Sequence, residues 1–175
     1  DSVRQISPSM IEIDSLNSRK LILQYKWVES SKYQLRFAPG AVRDIYALGF
    51  RDTVRYNFQA MPRKNYGNID LKVENLDSTR HYVMELMLGE NSEPAQRELI
   101  DLKTNARFIY KVMEPSTYKI RLFEDLNRNG EWDTGNYFKH QQPEPIYIRD
   151  LEALRPNWDL EVVVDWEERN KLPKN

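Results

Sequence analysis

The chain contains no cysteine, which excludes disulfides, thiol nucleophiles and thiolate metal sites, and leaves the redox compartment open. Histidine is confined to His81 and His140. Neither sits in an H-E-x-x-H or beside a G-x-S-x-G, so both read as surface or edge residues and not as metal ligands or general bases. No G-x-G-x-x-G or Walker loop appears, and nucleotide chemistry has no support. An excess of one charge is also missing. The 26 basic and 27 acidic residues give a net charge of -1, without the basic stripe that nucleic acid requires or a polybasic membrane anchor. No apolar run approaches the roughly 18 residues needed to cross a bilayer, so no transmembrane segment is expected. The opening "DSVRQISPSM" has neither a charged n-region nor an apolar h-region and is not a signal peptide; without an initiator Met, it reads as the start of a mature product or of a fragment. Glycine is scarce, with six residues, and no long stretch carries apolar residues at helical spacing.

What is present points to strands. The 175 residues include ten Tyr, six Phe and four Trp, and 40% are hydrophobic, enough for one sizeable domain or two small ones. Alternation of period two runs through most of the chain. It marks "MIEID", then Leu21, Leu23, Tyr25 and Trp27 in "KLILQYKW", then Tyr33, Leu35 and Phe37, and Val54, Tyr56 and Phe58. Between the last two, "PGAVRDIYALGFRD" places Val42, Ile45 and Tyr46 at helical spacing between Gly40 and Gly49, which predicts one short helical turn. "MPRKNYGN", with its proline, paired basic residues and glycine, is the candidate linker. Strands then resume in "IDLKVENL", "YVMELML", "RELIDL", "RFIYKVM", "YKIRLFED", "PIYIRDL" and "WDLEVVVDW". Seven short strands over about 100 residues suit a two-sheet sandwich with Greek-key-like connections. The expectation is therefore an all-β chain in which residues 1–62 form a partial β-domain with too few strands for a core of its own. Residues 63–168 form the sandwich and 169–175 a frayed tail.

One loop concentrates the chemistry. In "EDLNRNGEWDTGNY", counting from Asp125, oxygen-bearing side chains fall at positions 1, 3, 5 and 9: Asp125, Asn127, Asn129 and Asp133, with Gly130 at position 6. This is the first half of an EF-hand loop, where alternate oxygens converge on a hard cation. The second half departs from it: position 12 is Asn136 and the flanks read as strand and loop. Two readings stay open. The loop is a calcium site using Asp125, Asn127, Asn129, Asp133 and the Glu131 carbonyl, or it is an Asx-rich turn whose side chains bond their own backbone. Having two carboxylates and not three or four weighs toward the turn. A hydrolytic pair drawn from Asp125, Glu131 and Asp133 is a weaker reading, because acids are common here and no substrate-shaped set of aromatics surrounds them. Trp132, Tyr137 and Phe138 flank the loop. Exposed together they would stack on sugar rings; buried, Trp132 would anchor a long loop to the sandwich.

Several separated motifs occur in order. Asp125 to Tyr137 reads D-x-N-x-N-G-x-W-D-x-G-x-Y, Gln142 to Glu144 is a Q-P-E segment, and Asn157 to Asp159 opens an N-W-D strand. From about Gly67 to Trp166 the chain resembles the C-terminal module of Ig-like-domain proteins of Bacteroidetes cell envelopes. "YQLRFAPGAVRDIYALGFRDTVRYNF" more loosely resembles the closing strands of an S-layer-type bacterial Ig-like domain. The resemblance implies a transthyretin-like (prealbumin-like, or carboxypeptidase-regulatory-like) β-sandwich preceded by a partial Ig-like domain. It also implies an exported protein, periplasmic or anchored by lipid at the outer membrane and cell surface. It carries over no catalytic activity. The functional expectation is a non-enzymatic envelope module with a structural or binding role, serving a glycan or another envelope protein. A carbohydrate-recognition module is the alternative and a loop-carboxylate hydrolase the last.

Overall fold

A computed structural model describes residues 3–14, 19–44, 46–90 and 94–170. Two compact units are present, the first holding the described residues 3–13 and 19–63 and the second holding Asp14 and the described residues from Lys64 onward. Regular structure is all-β apart from three short 3-10 turns among the described residues, and no helix there is long and apolar enough to cross a membrane.

The first unit holds two separate antiparallel pairs. β1 (Ile11–Ile13) pairs with β2 (Leu21–Leu23), and β3 (Lys32–Phe37) with β4 (Val54–Gln59). The alternation does set the faces: Tyr33, Leu35 and Phe37 are half-buried while their neighbours are exposed. Trp27 gathers the aromatics, with ring centroids 4.7 Å from Tyr25, 4.9 Å from Tyr33 and 5.1 Å from Phe58. Yet no described residue of this unit is fully buried, as expected of two-stranded pairs, which are too small to enclose a core.

Two expectations change here. "KLILQYKW" is a strand only over Leu21–Leu23, because β1 offers just three partners. The segment between Gly40 and Gly49 is a loop and not a helical turn. Arg43 and Gly49 form an isolated antiparallel bridge, and the Asp44 carboxylate accepts the backbone N–H groups of Tyr46 and Leu48, each at 2.9 Å. An Asx side chain bonding the backbone ahead of it competes with helix, which is why helical spacing misled. Ile45 lies outside the described residues, as do Asn91 to Glu93 of the "ENSEPAQ" connection and residues 171–175 of the tail.

The second unit is two sheets around one core. One sheet has the order β10-β9-β6-β7, from Ile146–Asp150, Tyr118–Glu124, His81–Leu88 and Pro94–Asp101. The other has the order β11-β5-β8, from Asp159–Asp165, Gly67–Glu74 and Ala106–Met113. β5 and β11 run parallel, Ile69 opposite Leu160 and Val73 opposite Val164; the other pairs are antiparallel. Inward positions at period two fill the core: Ile69, Leu71 and Val73 from β5, Tyr82, Met84 and Leu86 from β6, Ile120 and Leu122 from β9. Trp166 closes one end, edge-on to Tyr82 at 5.1 Å, and Trp158, half-buried, packs against the core just before β11.

β6 is buried on both faces. Its second face presents Val83, Glu85 and Met87, and Glu85 is wholly buried between Arg97 of β7 and Arg121 of β9. Arg97 Nε donates to one carboxylate oxygen at 2.8 Å, and the Arg121 guanidinium takes the other. A buried charge tolerates this position only because both oxygens are paired.

Candidate functional site

The loop between β9 and β10 is built around acidic groups that β9 delivers at its end. Glu124, the last residue of β9, is buried and its carboxylate pairs with Arg80. Asp125 follows, also buried, its backbone N–H donating to the His81 carbonyl at 2.9 Å. Its two carboxylate oxygens accept from Asn129 N at 3.1 Å and Gly130 N at 2.8 Å. Gly130 adopts φ +76, the left-handed backbone that the turn needs and glycine adopts freely.

The remaining side chains converge on the same turn. Asn127 Oδ1 accepts from Asn129 N at 3.0 Å, and Asn129 Oδ1 accepts from Glu131 N at 2.7 Å. The carboxamide N–H groups of Asn127 and Asn129 both donate to Asp133 Oδ2. The five expected positions are thus brought together, with Glu131 contributing its N–H and its side chain exposed. The arrangement satisfies itself: Asp125 is spent on two backbone donors, and the charge of Asp133 is met by two amides. A cation here would have to displace both amide groups from Asp133 and rotate their oxygens inward. Among the described residues no group of three or more His, Cys, Asp or Glu side chains is placed to hold a metal; of the candidate side-chain donors only Asp125 and Asp133 are carboxylates, and the others are amide oxygens.

The residue that closes the loop is Glu144, which the loop motif does not contain. It is buried, and its carboxylate accepts the backbone N–H of Leu126 at 2.8 Å and of Asp133 at 3.0 Å. Its own N–H donates to the Asp133 carbonyl at 3.0 Å, and its carbonyl accepts the Trp132 indole N–H at 3.0 Å. Backbone donors without secondary-structure partners must find acceptors, and a carboxylate is the strongest available. The visible signal was an acid between two prolines in "QQPEPIYI" immediately before a strand.

The three aromatics part company. Trp132 is half-buried with its indole N–H turned toward Glu144, whereas Tyr137 and Phe138 are 88% and 91% exposed. His140 is exposed with φ +52, while His81, half-buried, holds Asp101 through Nδ1 at 2.7 Å. An open depression of about 340 Å³ lies elsewhere, against Lys72, Glu74, Asn105 and Arg107 at the β5–β8 pair.

No family model, curated protein or solved structure matches this chain.

Proposed function

We propose that the chain is an exported, non-enzymatic module of a cell envelope with a structural or binding role. Export and the envelope follow from the motif resemblance; one observation carries the non-enzymatic part of this reading. The buried carboxylates Glu85, Glu124, Asp125 and Glu144 are each committed to arginine or to backbone N–H groups that hold the sandwich and its long loop. A general acid or base needs an oxygen directed at a substrate, and these are directed at the protein itself. The transthyretin-like assignment of the second unit draws support from its strand order. In an immunoglobulin sandwich the first strand pairs with the second; here the first pairs with the fourth and, in parallel, with the last. The first unit, with two hairpin-like pairs and exposed apolar residues such as Ile13 and Tyr56, accords with a partial Ig-like domain. Fractionating cells that produce the chain from its native locus, followed by protease treatment of the intact cells, tests the localisation. Recovery in the envelope fraction supports the reading, and recovery in the cytosol overturns it.

Calcium remains the candidate cofactor of the Asp125–Asp133 loop, with Asp125, Asn127, Asn129, the Glu131 carbonyl and Asp133 as donors. The hydrogen bonding favours a turn that closes without it. Melting the protein in EDTA and in millimolar calcium decides between them: equal melting temperatures are expected. A calcium-dependent rise that Asp125→Ala abolishes makes the loop a metal site. Carbohydrate recognition is the second reading, favoured by the exposure of Tyr137 and Phe138. Trp132 is half-buried, and a glycan array is the direct test.

A further inference from the structure

Past Asp133 the loop rises into a closed tip. Asn136 and Gln141 exchange backbone hydrogen bonds at 2.9 and 3.0 Å, and His140 N donates to the Tyr137 carbonyl at 3.2 Å. The Asn136 carboxamide oxygen turns inward and accepts Lys139 N at 3.1 Å. Gly135, at φ +80, packs so tightly below this turn that a Cβ would lie 2.6 Å from the Gln141 carbonyl oxygen. The tip is thus fixed by its own backbone and holds two aromatic rings in solvent.

Tyr137 and Phe138 meet edge-on, centroids 5.8 Å apart and planes at 79°, so they form a wedge and not a flat platform. From Thr134 to Pro143 the tip carries Lys139 and His140 and no acidic residue, in a chain whose net charge is -1. A sugar site needs a flat ring face beside its polar side chains, and the edge-on pair offers no shared face. A bilayer interface asks for something different. It takes amphipathic and apolar rings at headgroup level and a cation to meet anionic phosphate. The tip supplies both.

We propose that the Tyr137–Phe138 tip docks the module on an anionic lipid surface, with both rings seated at the headgroup–acyl boundary and Lys139 against lipid phosphate. The proposal rests on the envelope reading only in that a bilayer must lie within reach. Its test uses purified protein, so failure of the lipid contact and failure of the localisation are separate results.

The experiment is co-sedimentation of the full chain with unilamellar vesicles of phosphatidylcholine alone and of phosphatidylcholine mixed with phosphatidylglycerol. Partition into the mixed vesicles is expected, weaker on phosphatidylcholine and reduced by salt. The Tyr137→Ser/Phe138→Ser double variant should lose about tenfold or more in partition, and Lys139→Gln about fivefold on the anionic vesicles only. The double variant should keep its melting temperature, since both rings stand in solvent. The proposal is overturned by absence of partition into either vesicle or by undiminished partition of the double variant. Glycan or soluble-protein binding through Tyr137 and Phe138, with the vesicles negative, overturns it equally.

Discussion

The indole N–H of Trp132 donates to the carbonyl of Glu144 across 3.0 Å, while the Glu144 carboxylate holds the backbone of Leu126 and Asp133 on the other side of the same loop. One residue therefore ties the loop at its beginning, its middle and its return to β10. The loop's order depends on this clamp as much as on the Asx turn that the motif advertises.

Removing the clamp should be costly. Glu144→Ala leaves two N–H groups without their charged acceptor, and each such bond contributes about 1.5–3 kcal/mol. The expected loss is about 3–6 kcal/mol by denaturant melting, with amide exchange accelerated at Leu126 and Asp133. Glu144→Gln keeps one acceptor oxygen and should fall between the two. Unchanged exchange at both amides in Glu144→Ala would show that the loop is held elsewhere.

The two loop glycines should respond differently to the same methyl group. Both have positive φ, +76 at Gly130 and +80 at Gly135, but a Cβ at Gly130 meets open space. Gly130→Ala should cost only the left-handed backbone penalty, about 1–2 kcal/mol. At Gly135 the Cβ would stand 2.6 Å from both Gln141 O and Pro143 N, backbone atoms that cannot step aside alone. Gly135→Ala should cost clearly more and shift the amide resonances of Gln141 and Gln142. Equal melting temperatures for the two variants would contradict this.

Glu85 offers a sharper contrast. Glu85→Ala strands Arg97 and Arg121 beside a buried vacancy and should cost about 3–5 kcal/mol. Replacing all three with apolar residues of similar volume (Glu85→Met, Arg97→Met and Arg121→Leu) removes the charges together. That triple variant should be within about 1 kcal/mol of the parent or more stable. If it is as unstable as Glu85→Ala, packing and not unpaired charge sets the cost.

The turn between β5 and β6 holds a carboxylate whose titration is coupled to folding. Thr79 donates to Asp77 through its hydroxyl at 2.7 Å and its N–H at 2.9 Å, and Arg80 adds a third donor at 3.3 Å. These bonds, the Thr79 hydroxyl first, hold the Asp77 carboxyl below its ordinary range. The unfolded chain then binds this proton more readily than the folded one. Stability from Asp77 is complete above the ordinary aspartate pKa and disappears as pH falls through the lower folded value. Asp77→Asn should flatten the acid limb of a melting-temperature profile below about pH 4 and leave the neutral region nearly parallel to the parent. An unaltered acid limb would place the acid sensitivity in other carboxylates, Asp70 with its Arg107 partner foremost.

Much of this chain was legible from its residues. Period-two alternation marks Ile69, Leu71 and Val73 as one face because a strand turns successive side chains to opposite sides, whatever lies beyond them. The Asx-and-glycine spacing of Asp125 to Gly130 likewise implies a tight turn, since short Asx side chains reach the backbone N–H groups a few residues ahead. Alternation is silent, however, on what faces each side. It marks Glu85 as the polar side of β6, and only the registry of β7 and β9 brings Arg97 and Arg121 onto it and buries all of β6 but its ends. The helical spacing of Val42 and Tyr46 failed because Asp44 bonds the backbone ahead of it. Local sequence determined the strands and the turn, through the geometry of a few consecutive residues. The tertiary structure decided the strand order, the clamp that Glu144 applies from 18 residues beyond Leu126, and the exposure of Tyr137 and Phe138. Those depend on which distant backbone groups need partners and on which surfaces the packed sheets leave uncovered.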